Sequence, residues 1–421
     1  MPDPLEKTPR AERLWTRNFL LLWQGQLVSI LGDVVYEIAL GFWVLAVTGS
    51  TALMGTLLAA STLPRILVSP FAGVVIDRSD RRRLMILMDV ARGVVVSAVG
   101  AAAIVGVLQI WMVFAAGVIL GICGAFFSPA VGSVIPDITA PRKVVRANSV
   151  LSMLHTGGSI VGNSAGGFLF QLLGAPFLFL FNGVSYLFSG ANLLFARFPA
   201  VHHAQEGMHF GKDLKSGFSF VWKIRGLRYL ILIAAVINFF ANMAFMLFLP
   251  FYQRNPALGP AKYGIAMALF TGGMFLGMSL TAAVKIPPAR RFVLFQVCGI
   301  MSFVCMCAFP FMQSFPVAVT LLALSGLANA VLNVFINSVM QLAVPPGMRG
   351  KVFSLMGTVT QGLTPIAFAL AGVLASFFPI PLLMSLCFGI VVPVGLPFMF
   401  LQSFKRFICF DPARDTVESV R

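Results

Sequence analysis

Apolar runs of about 20 residues, each long enough for a helix to cross a hydrocarbon core about 30 Å thick, recur along the whole of this 421-residue chain. In lipid no water is available to satisfy a bare backbone, so such runs must be helical. Twelve are counted, at approximately 18–47, 53–76, 84–107, 111–135, 147–173, 176–196, 229–250, 262–284, 292–312, 316–340, 352–376 and 381–404. Charged residues make up 10% of the chain and hydrophobic ones 58%, against about 25% charged in a soluble domain, which excludes a water-soluble protein. The first run is too long for the apolar segment of a cleaved signal peptide and carries Asp33 and Glu37 inside it, so it is a resident helix. An interfacial turn around Asn18 is expected to open it.

Six cysteines, at 123, 298, 305, 307, 387 and 409, show neither metal-ligand nor disulfide-framework spacing and read as small apolar residues. No cofactor is called for. The net charge of +16 is read as topology, because cytoplasmic loops collect Lys and Arg. The tails and even-numbered loops (1–17, 77–83, 136–146, 197–228, 285–291, 341–351 and 405–421) hold 26 of these residues, and the opposite side only Arg254 and Lys262. Both termini are therefore expected in the cytoplasm. The remaining charge is attraction to anionic lipid, and no nucleic-acid partner is implied.

The longest interruption, 197–228, separates six spans from six. His202, His203 and His209 within it lack zinc or helical spacing and are read as part of a solvated linker. Sliding the sequence by 205 residues lays Ser133-Val134 on Ser338-Val339, Ser149 on Ser354, Gly157 on Gly362 and Gly167 on Gly372. Parallel six-helix repeats are a transporter architecture. The expected organisation is a tail (1–17), a bundle (18–196), a linker (197–228), a second bundle (229–404) and a tail (405–421). The fold class is all-α integral membrane, with twelve transmembrane helices in two pseudo-symmetric six-helix bundles and the substrate path between them.

Asp33 and Glu37 stand four apart, on one face of a helix, with Asp33 near mid-span. Intramembrane carboxylates are costly, and burial disfavours their ionised form, which suits a proton-coupling site; the alternative is a permanently paired structural charge. Arg65, central in the second span, is the expected partner of Asp33, which leaves Glu37 as the better proton carrier. Asp89 and Arg92, three apart, are read as a self-satisfied structural pair. His155 is read as hydrogen-bonded rather than as a shuttle. Asn238 with Asn242, and Asn329 with Asn333 and Asn337, form polar stripes that either line a cavity or bond between helices; the cavity is favoured, with Tyr36 as a further wall residue. Gly158, Gly162, Gly166 and Gly167, with Asn163 among them, allow close approach of another helix.

The run Gly73-Val-Val-Ile-Asp77-Arg78-Ser-Asp80-Arg81-Arg82-Arg83 resembles the signature loop of the major facilitator superfamily, with Asp80 where a second glycine is usual. Gly158 to Gly167 resembles that superfamily's antiporter motif, with Asn163 in the place of its proline. Leu31-Gly32-Asp33, Thr48-Gly49-Ser50, Ser128-Pro129-Ala130, Pro136-Asp137 and Arg146-Ala147-Asn148 are similar to the macrolide and enterobactin exporter branch. The fourth span lacks the membrane arginine that a neighbouring drug-antiporter branch uses.

The resemblance implies a conformational latch built from Gly73, Asp77, Arg78, Arg81 and Asp137. In it Arg81 pairs with Asp137, and Asp77 sits at the positive end of the eleventh span near Val352 and Phe353. It also implies a proton-coupled exporter of amphipathic small molecules in a bacterial inner membrane, working as a functional monomer. No loop carries a nucleotide-binding G-x-x-x-x-G-K-[ST] run, and no cluster resembles an enzyme's active site. The alternatives are a lysophospholipid or siderophore transporter of the same fold, or a non-transporting membrane sensor.

Overall fold

A computed structural model describes residues 14–140, 143–198, 218–284, 286–399 and 401–409. The helices are α1 Arg17–Thr48, α2 Thr51–Arg78, α3 Arg81–Val105 and α4 Ile110–Ile138. A continuous helical stretch, Val144–Phe195, is broken at Gly174 into α5 (144–173) and α6 (175–195). Then come α7 Arg225–Arg254, α8 Gly259–Ala283, α9 Pro288–Ala308 and α10 Phe315–Ala343. α11 Pro346–Gln361, α12 Thr364–Leu374, α13 Ile380–Met399 and α14 Gln402–Ile408 complete the chain. Among the described residues ten helices are long and apolar enough to cross a membrane, with α11 and α12 sharing one of them; splitting the longest at Gly174 and adding the shorter apolar stretch Ile380–Val391 of α13 gives twelve.

Local chemistry sets the ends. Gly49 takes φ 64° and Ser50 Oγ accepts from Leu53 N at 3.2 Å, closing α1 and capping α2. Asp80, in the place of the usual loop glycine, is the N-cap of α3 and accepts from the backbone N–H groups of Arg82 and Arg83. Gly174 adopts φ 76°, ψ 170°, a left-handed conformation that a Cβ opposes, and Pro176 then restarts the helix without a donor to orphan.

Three edges differ from the sequence reading. Asn18 lies within the first turn of α1 rather than in a turn ahead of it, its side chain accepting from Arg197 N at 3.0 Å, and the chain bends at Leu14 and Trp15 just before the helix. The eleventh span is divided between Gln361 and Thr364, because Pro365 cannot donate to the carbonyl four residues back. The last span ends at Met399, and the residues expected to complete it form α14. There Phe404, Phe407 and Ile408 are buried while Lys405 and Arg406 stay exposed, an amphipathic pattern that lies against a bundle rather than crossing lipid.

Two compact units are present, residues 1–47 with 60–204, and residues 48–59 with 205–421. In the first, the core at one end gathers Phe19, Leu22, Met85, Phe127, Val134 and Leu193. In the second, Leu227, Leu230, Val339, Met340, Val352 and Phe407 form the corresponding mass. The opening turns of α2 belong to the second unit, where Thr51 Oγ1 lies 3.5 Å from Ser376 Oγ. The internal repeat survives folding: α4 and α10 each have 29 residues, and both ends of α10 fall 205 residues after those of α4.

Candidate functional site

Asp33 sits halfway along α1 and is half-buried, whereas Glu37, one turn on, is exposed. Tyr186 of α6 donates its hydroxyl to Asp33 Oδ1, and Asn182 Nδ2, one turn earlier on α6, reaches the same oxygen at 3.5 Å. The cation whose field reaches Asp33 is Arg92, with exposed His155 adding to it. Arg65 instead acts on Glu37. The expected Asp33–Arg65 pairing is therefore corrected: α6, packed against α1 through Gly32, supplies the partners of Asp33. A Cβ on Gly32 would lie 2.5 Å from both Asn182 Oδ1 and Ser185 Oγ, so only glycine lets those polar groups come this close.

Arg92 and Asp89 form an ion pair one turn apart on α3, with side chains 8% and 0% exposed. The Arg92 guanidinium lies 4.2 Å from the centroid of Phe127 and 4.3 Å from that of Tyr186, so the aromatic faces replace part of its lost hydration. Tyr186 thus joins two charged centres, donating to Asp33 through its hydroxyl while its ring covers Arg92. Sequence reasoning missed Tyr186 and Asn182. Their signal was a polar stripe at helical spacing, Asn182, Ser185, Tyr186 and Ser189, in a span otherwise rich in Phe and Leu.

Tyr36, expected at a cavity wall, is a core residue, 5% exposed, with its ring 5.3 Å from that of Phe179. It lies about 100° around the helix from Glu37, and that rotation turns it into the bundle. A cavity of about 330 Å³ lies in the second unit. Asn238 and Asn242 of α7 and Asn329 and Asn333 of α10 line it together with Phe245, Phe295, Phe303 and Phe404. Asn337, expected with them, is exposed and lies outside that wall.

The amide nitrogens of Asn238, Asn242 and Asn333 donate to the backbone carbonyls four residues back at 2.8 to 2.9 Å. Those carbonyls can only accept, so the amide oxygens face the other way and present acceptors among aromatic faces. Among the described residues that line this wall, none is charged.

At the ends of α3 and α4, Arg81 Nη1 donates to Asp137 Oδ2 at 2.6 Å and to Ser133 O at 3.2 Å. Arg82 donates to Leu193 O at 3.0 Å and to Leu194 O, satisfying the C-terminal carbonyls of α6. Arg78 and Gly73 are exposed on α2, and the side chain of Asp77 lies outside the described residues. So do His202, His203 and His209.

Gly158, Gly162 and Gly166 meet Ile30, Val34 and Ile38 of α1: an added Cβ would lie 2.6 to 2.8 Å from each side chain. Both rows step by four residues, so the motif is a ridge of branched side chains seated on a glycine groove. Asn163 is half-buried and Gly167 buried beside it. Gly162→Leu is expected to cost about 1–3 kcal/mol through overpacking, read as a lower unfolding midpoint in detergent; an unchanged midpoint would contradict this contact.

A family model described as Major Facilitator Superfamily matches residues 22–369. The chain belongs to the major facilitator superfamily. Macrolide efflux protein A of Streptococcus pyogenes is 22% identical over 413 residues, covering 90% of this chain and 96% of that one. Multidrug efflux pump Tap of Mycolicibacterium fortuitum is 27% identical over 369 residues, covering 85% and 88%. Among solved structures, a bacterial homologue of the iron transporter ferroportin in an inward-facing state superposes with TM-score 0.72 at 16% identity, covering 92% of this chain and 100% of that one. A bacterial homologue of the human lysosomal transporter Spinster gives TM-score 0.68 at 18% identity, covering 96% and 94%. The protein is thus a multi-pass membrane transporter with efflux pumps among its relatives.

Proposed function

We propose that this superfamily member is a proton-coupled exporter of amphipathic small molecules in a bacterial inner membrane, with both termini cytoplasmic. The observation that carries the reading is Glu37: an exposed carboxylate midway along a membrane helix, beside the exposed cation Arg65. Intramembrane carboxylates face a water-filled path or a partner rather than lipid, and one that remains accessible can exchange its proton as that path opens to either side. The Asn and Phe wall of the second unit offers neutral acceptors and apolar faces, which suit an amphipathic cargo. Relatives named as macrolide and multidrug efflux proteins support outward transport.

Transport proceeds by rocking of the two six-helix halves, 18–196 and 229–404, which exposes the sites to one side and then the other. The Arg81–Asp137 pair ties the start of α3 to α4, so that the loop from Gly73 through Arg78 moves with its bundle, and Asp77 latches one of the two states.

Purified protein in liposomes with an imposed pH gradient is expected to move protons when a lipophilic drug from a panel is added. The absence of flux with every compound, from protein shown to be folded, would remove the exporter reading. Asp77→Asn is expected to abolish this flux while leaving expression and membrane insertion unchanged; normal transport by that variant would remove the latch.

A further inference from the structure

No Asp or Glu stands between Leu214 and Phe410, so across that stretch the second unit carries cations and supplies no carboxylate of its own. At one end of this unit two short helical segments lie together. Residues 218–223 are helical and precede α7. Beside them α14 packs on the start of α7, where a Cβ on Gly226 would lie 2.6 Å from Phe407 Cβ. The inner faces of both segments, Val221 and Ile224 on one and Phe404, Phe407 and Ile408 on the other, belong to a single apolar core. Their outer faces are basic and aromatic. Phe218 and Trp222, one turn apart, are stacked with ring centroids 5.1 Å apart, and about half of each side chain, 49% and 50%, stays open. Lys223, Arg225, Lys405 and Arg406 are exposed around them, and the Arg228 guanidinium lies 5.3 Å from the Trp222 centroid.

We propose that residues 218–228 and α14 form one docking surface for an anionic lipid leaflet, with the aromatic pair seated at headgroup level and the cations set against lipid phosphates. Tryptophan concentrates at membrane interfaces, where its ring meets apolar surroundings and its N–H stays wet. The contact of Arg228 with a ring face occupies no hydrogen-bond acceptor, so its guanidinium keeps donors for phosphate oxygens. Because the sequence from 214 to 410 holds no carboxylate, the complement to these cations comes from outside it. Lys and Arg clustered beside a transmembrane helix or along an amphipathic one are drawn to anionic headgroups. The surface ties down the chain where it enters the second bundle and where it leaves. It requires the multi-pass membrane fold and does not depend on the exporter reading.

The test follows Trp222 fluorescence in the full chain reconstituted into liposomes, with brominated acyl chains as the quencher, carried either on phosphatidylglycerol or on phosphatidylcholine. The Trp222 signal is the difference between wild type and Trp222→Phe. At equal mole fraction, phosphatidylglycerol is expected to be preferred about fivefold, the factor one basic residue near an anionic surface supplies, and the preference is expected to shrink in high salt. Combining Arg225→Gln, Lys405→Gln and Arg406→Gln, all at exposed positions, is expected to bring the two lipids near parity. Equal quenching by both lipids in wild type, no quenching of Trp222 by either, or an undiminished preference in the triple variant would overturn the surface. So would a preference that emerges only after Asp411→Asn, Asp415→Asn and Glu418→Gln, because the acidic residues of the tail would then be the occupant.

Discussion

Arg92→Leu is expected to lower stability by about 3–5 kcal/mol, the range for removing one partner of a buried ion pair. Asp89 has no exposed surface, so without Arg92 its charge stays in the core or is lost only by protonation. The further substitution Asp89→Leu removes the stranded carboxylate and is expected to recover most of the loss, because an ion pair replaced by apolar groups of similar volume is often neutral. Reversible unfolding in mixed detergent micelles would read both values. A double variant as unstable as the single one would show that Arg92 matters through its stacking on Phe127 and Tyr186 rather than through Asp89.

The fold was legible because its constraints are local. Apolar length marks each crossing, and Gly174-Ala175-Pro176 marks the turn between α5 and α6 as a left-handed residue followed by one that lacks a donor. α14 was not legible in the same way. Its phenylalanines continue an apolar run, and only the adjacent Lys405 and Arg406, set between Phe404 and Phe407 three residues apart, betray a helix with a wet side.

The site divides along a similar line. Periodicity places Asp33 and Glu37 on one face of α1, but it does not say which neighbouring helix meets that face. Depth alone suggested Arg65 for Asp33, whereas the closeness of α6 at Gly32 brings Tyr186 and Asn182 there instead. For the asparagines the stripe on each helix was readable, yet Asn337 falls one turn beyond the cavity that Asn329 and Asn333 help line. Tyr36 failed because neighbouring residues on a helix point about 100° apart, which sends its ring inward while Glu37 stays exposed.

The contrast between the two carboxylates of α1 gives the second large effect. Asp33 accepts from two side chains of α6 and lies in the field of Arg92, so its contacts all come from its own bundle. Glu37 is exposed, and among the described residues the cation whose field reaches it is Arg65. A proton carrier must reach both sides of the membrane in turn, and Glu37 is placed for that. Glu37→Gln is accordingly expected to cut drug-dependent proton flux in liposomes at least tenfold, an order of magnitude corresponding to about 1.4 kcal/mol, while drug binding in detergent persists. Glu37→Asp, which keeps the titrating group on a shorter stem, should retain part of the flux. Asp33→Asn removes an acceptor from Tyr186 and is expected to lower stability as well as flux. If Glu37→Gln transports normally and Asp33→Asn alone is dead at unchanged stability, the carrier is Asp33, and Glu37 with Arg65 is a fixed pair bordering the path.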